Sequence, residues 1–118
     1  MKLRLLDDSV RLRLSRSEVI AVREHGVVES RTRFPNGSVF TFALESLAGD
    51  AESSASYARD RMVLKVPAAE IRAWASDDAA VSLRGELQLP DGGALKLLVE
   101  KDSSVYLPEA TKTNRISS

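Results

Sequence analysis

The chain of 118 residues has no cysteine, which excludes a disulfide framework, a thiolate nucleophile and the usual zinc spacings. Its single histidine, His25, stands beside Gly26, where a helix end would favour a cation more readily than it would create a general base. Aromatics make up only 5%, too few to interleave a stacking surface for single-stranded nucleic acid. There is no net charge, with 17 basic and 17 acidic residues, so no global field draws the protein to nucleic acid or to a membrane. Long apolar runs are missing too: Asp7-Asp8 interrupts the opening Met1-Lys2-Leu3-Arg4-Leu5-Leu6 before a secretory apolar region can form. The Gly92-Gly93 pair follows Asp91 in a hairpin and does not lead into a helix, so no phosphate loop is present. These absences predict a cytoplasmic protein with no membrane segment, no cofactor, no metal site and no catalytic residue.

What is present is a duplication. Displaced by 52 positions, Leu3, Leu5, Asp8, Val10, Leu12, Arg13, Leu14, Glu18 and Val19 fall on Ala55, Tyr57, Asp60, Met62, Leu64, Lys65, Val66, Glu70 and Ile71. After about three further residues in the second copy, Pro35-Asn36-Gly37 meets Pro90-Asp91-Gly92, and Phe40, Phe42, Leu44 and Glu45 meet Leu95, Leu97, Val99 and Glu100. Repeats of this kind organise a fold, because neither copy has enough interior to stand alone.

Each copy reads as hairpin, helix, hairpin. Lys2 to Leu5 and Val10 to Leu14 alternate apolar with basic residues around a turn, the two-residue period of a half-buried strand pair. Ser15-Arg16-Ser17-Glu18 has capping-box spacing, Val19, Ile20 and Val22 supply an apolar stripe, and Gly26 supplies the stop. In the second copy Pro67 suits the first helical position, and Ile71 and Trp74 mark the stripe. The expected fold is α+β: two pseudo-symmetric ββαββ repeats forming a mainly antiparallel eight-stranded barrel, or two facing sheets, with two short helices. Residues 1–102 form one domain of two repeats, about 1–47 and 53–102, and 103–118 reads as a largely disordered tail with Tyr106 and Leu107 docked on the core. The dozen-residue helical crossover permits one parallel pairing per copy. Leu12, Leu14, Val19, Phe40, Phe42, Leu64, Val66, Ile71, Trp74, Leu97 and Val99 are the expected core, and Tyr57 shares their phase.

The run Met1-Lys2-Leu3-Arg4-Leu5 through Ser9-Val10-Arg11-Leu12-Arg13-Leu14-Ser15-Arg16-Ser17-Glu18-Val19, with the later Val99-Glu100-Lys101-Asp102, resembles a family of small bacterial proteins of about 120 residues classed as a domain of unknown function. The resemblance covers the chain to about Asp102 and implies a bacterial cytoplasmic setting. It carries no activity and no site residue.

Sorted by strand phase, the charges are not evenly mixed. The polar phase carries Lys2, Arg4, Arg11, Arg13, Arg31, Arg33, Arg61, Lys65, Arg84 and Lys96 against Glu29, Glu86 and Glu100, while most other acids fall in turns, helices and connectors. Guanidinium forks match phosphate oxygens bidentately, as a phosphate, polyphosphate or nucleic-acid surface needs, but Lys and Arg also cover sheet surfaces with their apolar stems. Asp8 and Asp60 are repeat equivalents that turn formation explains. Two functions stay open. One is a non-catalytic binding or protein-interaction module, using either the basic strand face or an exposed strand edge, with weak, salt-sensitive polyanion binding. The other is a small anion- or phosphate-binding protein or enzyme with a basic site between the copies. Arg11, Arg13, Arg33 and Lys65 are the candidate ligand-binding residues; another protein is the expected partner, and the oligomeric state stays open.

Overall fold

The computed structural model describes residues 1–102, so the expectations for 103–118, including the docking of Tyr106 and Leu107, lie outside the described residues. The elements run β1 (Lys2–Leu5), β2 (Ser9–Leu14), α1 (Arg16–His25), β3 (Val27–Arg33), β4 (Val39–Leu47), β5 (Ser54–Ala58), β6 (Arg61–Pro67), α2 (Ala68–Ser76), β7 (Ser82–Gln88) and β8 (Ala94–Lys101).

Local chemistry sets their limits. Ser15 Oγ accepts from Glu18 N at 3.4 Å and Glu18 Oε1 accepts from Ser15 N at 2.9 Å, closing the capping box that starts α1. Gly26 ends the helix at φ +79°, donating its N–H to Val22 O. Pro67 caps α2 from outside and does not occupy its first helical position; it carries the last residue of β6 straight into the helix. Asn36 Oδ1 accepts from Ser38 N at 3.0 Å in the β3–β4 turn, and Asp91 Oδ1 accepts from Gly93 N at 3.4 Å in the β7–β8 turn.

The strands form two four-stranded mixed sheets, ordered β1-β2-β8-β7 and β3-β4-β6-β5. The barrel alternative is thereby corrected: β1, β7, β3 and β5 each pair on one side only, and the sheets stay open and face each other. The parallel pairing that the crossover length permits does occur, twice, but between the copies. The helices carry the chain from one sheet to the other, so the parallel pairs join the copies, β2 to β8 and β4 to β6.

Pairing registers repeat the sequence offset. Lys2↔Arg13 in the first copy becomes Ser54↔Lys65 in the second, and Val27↔Glu45 becomes Ser82↔Glu100. Across the copies, Val10↔Leu97 corresponds to Met62↔Phe42. The connecting bonds follow suit: Lys96 N donates to Asp8 O and Thr41 N to Asp60 O, both at 2.9 Å. The two turn aspartates thus act through their carbonyls, anchoring a strand of the other hairpin.

Between the sheets lies one core. Leu12, Leu14, Leu44 and Leu64 have no exposure, and each contributes roughly 1.5–3 kcal/mol by leaving water. Val19 and Val22 from α1, and Ile71 and Trp74 from α2, join the same cluster. Trp74 Nε1 donates to Val81 O at 3.0 Å, so the indole is buried without an unmet donor. Lys101 is also buried; its Nζ donates to Asp77 O at 2.8 Å and lies 5.5 Å from the Trp74 ring centre.

Ten of the eleven expected core residues are buried, while Phe40 is only partly so, at the open end of the cluster. Tyr57, on edge strand β5, is 63% exposed. Ile20 is 41% exposed because the buried stripe of α1 runs through Val19 and Val22, a quarter turn away.

Candidate functional site

Because β2 alternates with Leu12 and Leu14 inward, Arg11 and Arg13 point outward from the first sheet. Lys65 lies between buried Leu64 and Val66, and Arg33 ends β3, so these two point outward from the second sheet. The structure therefore brings Arg11 together with Arg13 but sets Arg33 and Lys65 on the opposite outer face. Arg13 and Lys65 do not converge on a ligand between the copies.

What lies between the copies, at the end away from the helices, is apolar. Leu5, Val10 and Leu95 of the first sheet meet Phe40, Ala55, Tyr57, Met62 and Leu64 of the second around a cleft of about 410 Å³. Leu5 and Tyr57 are repeat equivalents, as are Val10 and Met62. No charged side chain lines it.

The outer face of the first sheet is the basic one. Pairing sets Arg4, Arg11, Leu98 and Arg84 in one row across four strands. On one side lies the row Lys2, Arg13, Glu100, Ser82, and on the other Ser9, Lys96, Glu86. Six cations thus face two carboxylates. Arg13 Nη2 and Arg11 Nε share Glu100 Oε1 at 3.1 and 3.6 Å. Among the described residues Lys2, Arg4, Arg84 and Lys96 have no ion pair. Between Arg11, Arg84 and Lys96 the surface sinks into a hollow of about 510 Å³ with half-buried Leu98 in its floor. A smaller hollow of about 170 Å³ lies among Lys2, Arg4, Arg11 and Arg13, so Arg11 stands between the two.

The second sheet treats its charges differently. Arg61 Nη1 reaches Glu29 Oε2 at 2.9 Å, its Nη2 reaches Glu45 Oε2 at 3.4 Å, and Arg31 Nη2 reaches Glu29 Oε1 at 3.5 Å. The hydrogen bond from Arg61, with the charge behind it, holds the Glu29 carboxyl below the usual carboxylate range against the opposing effect of desolvation. Thus Arg31 and Arg61 are met from within, while Arg33 and Lys65 on the same face have no ion pair among the described residues.

Chemically, the first face can pair with carboxylate or phosphate oxygens and can cover an apolar group on Leu98. Among the described residues no three His, Asp or Glu side chains come together as a metal cluster, and His25 is exposed at the end of α1. No helix among the described residues is long and apolar enough to cross a membrane. Sequence reasoning placed Arg4, Arg84 and Lys96 in the polar phase but did not single them out. Leu98 was missed outright; a leucine in an otherwise charged strand phase, next to inward Leu97, was the available signal.

Fold and surface together define a duplicated α+β module of two facing sheets with one basic outer face. The chain belongs to a family of unknown function (DUF7009), whose model matches residues 1–110. No curated protein and no solved structure matches it.

Proposed function

We propose that the chain is a non-catalytic binding module whose contact surface is the outer face of the β1-β2-β8-β7 sheet, and whose partner is an acidic protein segment carrying an apolar anchor. The observation that supports this most is the row Arg4, Arg11, Leu98, Arg84, in which guanidinium groups flank an apolar floor on a central strand. Arginine beside a desolvated apolar contact is the composition of protein-interaction hot spots. A nucleic acid or polyphosphate would use the charges and leave Leu98 without a role, and no aromatic residue stands in these rows to stack a base.

The test is a titration of the full chain with a peptide of alternating Glu and Leu, beside single-stranded DNA and inorganic polyphosphate, at low and near-physiological salt. The peptide should bind best, and Arg11→Gln with Arg84→Gln should weaken it by on the order of tenfold, equivalent to about 1.4 kcal/mol. Leu98→Gln should weaken the peptide and leave DNA unaffected. Tighter binding of DNA or polyphosphate with no effect of Leu98→Gln would overturn the reading, as would the absence of any binding at low salt.

A further inference from the structure

Gly85 occupies the middle of edge strand β7 for no conformational reason. Its backbone is outside the left-handed region, and a Cβ built on it would meet nothing within 4 Å. Gly85 pairs with buried Leu97 and so faces inward, and its missing side chain opens space on the inner side of the edge, where a groove runs.

The strand's own hydrogen bonding says which backbone groups are left open at the edge. Lys101 N donates to Val81 O at 3.0 Å and Leu89 N to Gly93 O at 2.8 Å, which puts the odd-numbered residues of this stretch in the bonded positions against β8. In an antiparallel pair the intervening residues turn their N–H and C=O outward. Those are Arg84, Glu86 and Gln88, and no described residue bonds their backbone groups. Along Gly85 to Gln88 runs a groove of about 740 Å³, walled by residues 49–53 ahead of β5 and by Pro67, Ala69 and Glu70 at the start of α2. Three acidic residues outside the strand line it, Asp50, Glu52 and Glu70, with no lysine or arginine among the lining residues.

We propose that this edge takes a fifth strand, an extended cationic segment of a partner protein laid along β7. The outward amides and carbonyls of Arg84, Glu86 and Gln88 continue the sheet, the missing side chain of Gly85 leaves the groove open to side chains of the incoming strand, and the groove's carboxylates select Lys or Arg among them. The duplication supplies an internal contrast. On β3, the equivalent edge, Glu29 replaces Arg84, Ser30 replaces Gly85, and Arg31 and Arg33 replace Glu86 and Gln88, so that edge is more cationic by one charge and favours the same segment less. This surface adjoins the basic face and shares Arg84 and Glu86 with it, but it uses their backbone groups and the groove's carboxylates, not the guanidinium row.

The experiment uses the full chain, labelled with ¹⁵N, and two capped probe peptides of eight residues, alternating Lys with Thr and Glu with Thr. The lysine peptide should shift the amide resonances of residues 84–88 and slow hydrogen exchange at 84, 86 and 88, while the glutamate peptide leaves them unchanged. Glu86→Pro removes an outward amide without touching a bond to β8, and it should weaken binding at least tenfold. If that variant proves unfolded in a thermal melt, Glu52→Lys with Glu70→Lys, which alters no strand backbone, should give the same loss. Shifts confined to the β3 edge, equal binding of both peptides, unchanged affinity in the variants, or no binding at low salt would each overturn the proposal.

Discussion

Arg61 on β6 reaches over β4 to Glu29 on β3, Nη1 to Oε2 at 2.9 Å, and so ties together two strands that do not pair with each other. Beneath this bond, on the outward phase of β4 and β6, Ala43 has no exposure and Val63 only 7%. The long side chains close over them. In the first sheet the repeat equivalents of Arg61, Glu29 and Glu45 are Ser9, Arg84 and Glu100, and those of Ala43 and Val63 are Leu98 and Arg11. One substitution thus removes the bridging cation and another reverses the bridging anion, so the second sheet meets part of its own charge while the first stays more basic. Two faces built on one backbone plan have diverged in what they leave available to a partner.

Arg61→Gln should return the Glu29 carboxyl toward the ordinary carboxylate range in an NMR titration. Its folded value now lies below the unfolded one, so the contribution to stability is present above the ordinary carboxylate value and fades as pH falls through the lowered one. The pair is well exposed, so added salt should shrink the difference between variant and parent. A Glu29 titration unmoved by the substitution would mean that the bridge does not persist in solution.

The start of α1 offers a second acid-sensitive group. Burial alone would raise the Glu18 carboxyl, but hydrogen bonds from the Met1 ammonium, the Ser15 amide and the Ser15 hydroxyl outweigh it and hold the carboxyl low. Ser15→Ala should cost about 1 kcal/mol in a urea melt by removing the cap from the helix amide. Glu18→Gln should keep part of the cap and flatten the acid limb of the stability curve. Because the folded value is lowered, that limb falls only as pH drops through it. Parallel acid limbs in parent and variant would contradict this account.

Phe42→Ala should cost on the order of 3–5 kcal/mol, because the ring is 6% exposed within the shared core and stacks on Phe40 with centroids 5.8 Å apart. Tyr57→Ala, on the same strand phase but 63% exposed, should cost far less. Comparable losses in denaturant melts would show that the cleft end of the core is more closed than this.

The two-residue period and the duplication made the strands, turns and most of the core legible, since both are local patterns that a buried sheet face enforces on the residues themselves. Which copy's hairpin pairs with which is set by where α1 and α2 deliver the chain, and no spacing in the sequence encodes that. Hence two facing sheets were legible only as one of two alternatives, and the cross-copy parallel pairs were not readable, nor was the separation of Arg13 from Lys65. Phase alone placed Arg11 and Arg13 outward correctly. It could not say that Arg61, in the same phase, is bound by Glu29 and Glu45, because those partners come from strands joined only in the folded chain.

Two glycines give the last prediction, since they are present for opposite reasons. Gly26 sits at φ +79°, its carbonyl accepts from Ser46 N at 2.8 Å, and an added Cβ would come within 3.1 Å of Ser46 Oγ. Gly26→Ala should therefore cost about 1–2 kcal/mol for the left-handed backbone alone, with the close approach to Ser46 adding to it. Gly85 has neither constraint. Gly85→Ala should raise stability by about 0.5–1 kcal/mol, because a mid-strand glycine loses more freedom on folding than alanine does. The two variants should move the urea midpoint in opposite directions with unchanged slope. If Gly85→Ala instead destabilises the fold, the space on the inner side of β7 is already filled in the free protein, and the groove is not open there to side chains of an incoming strand.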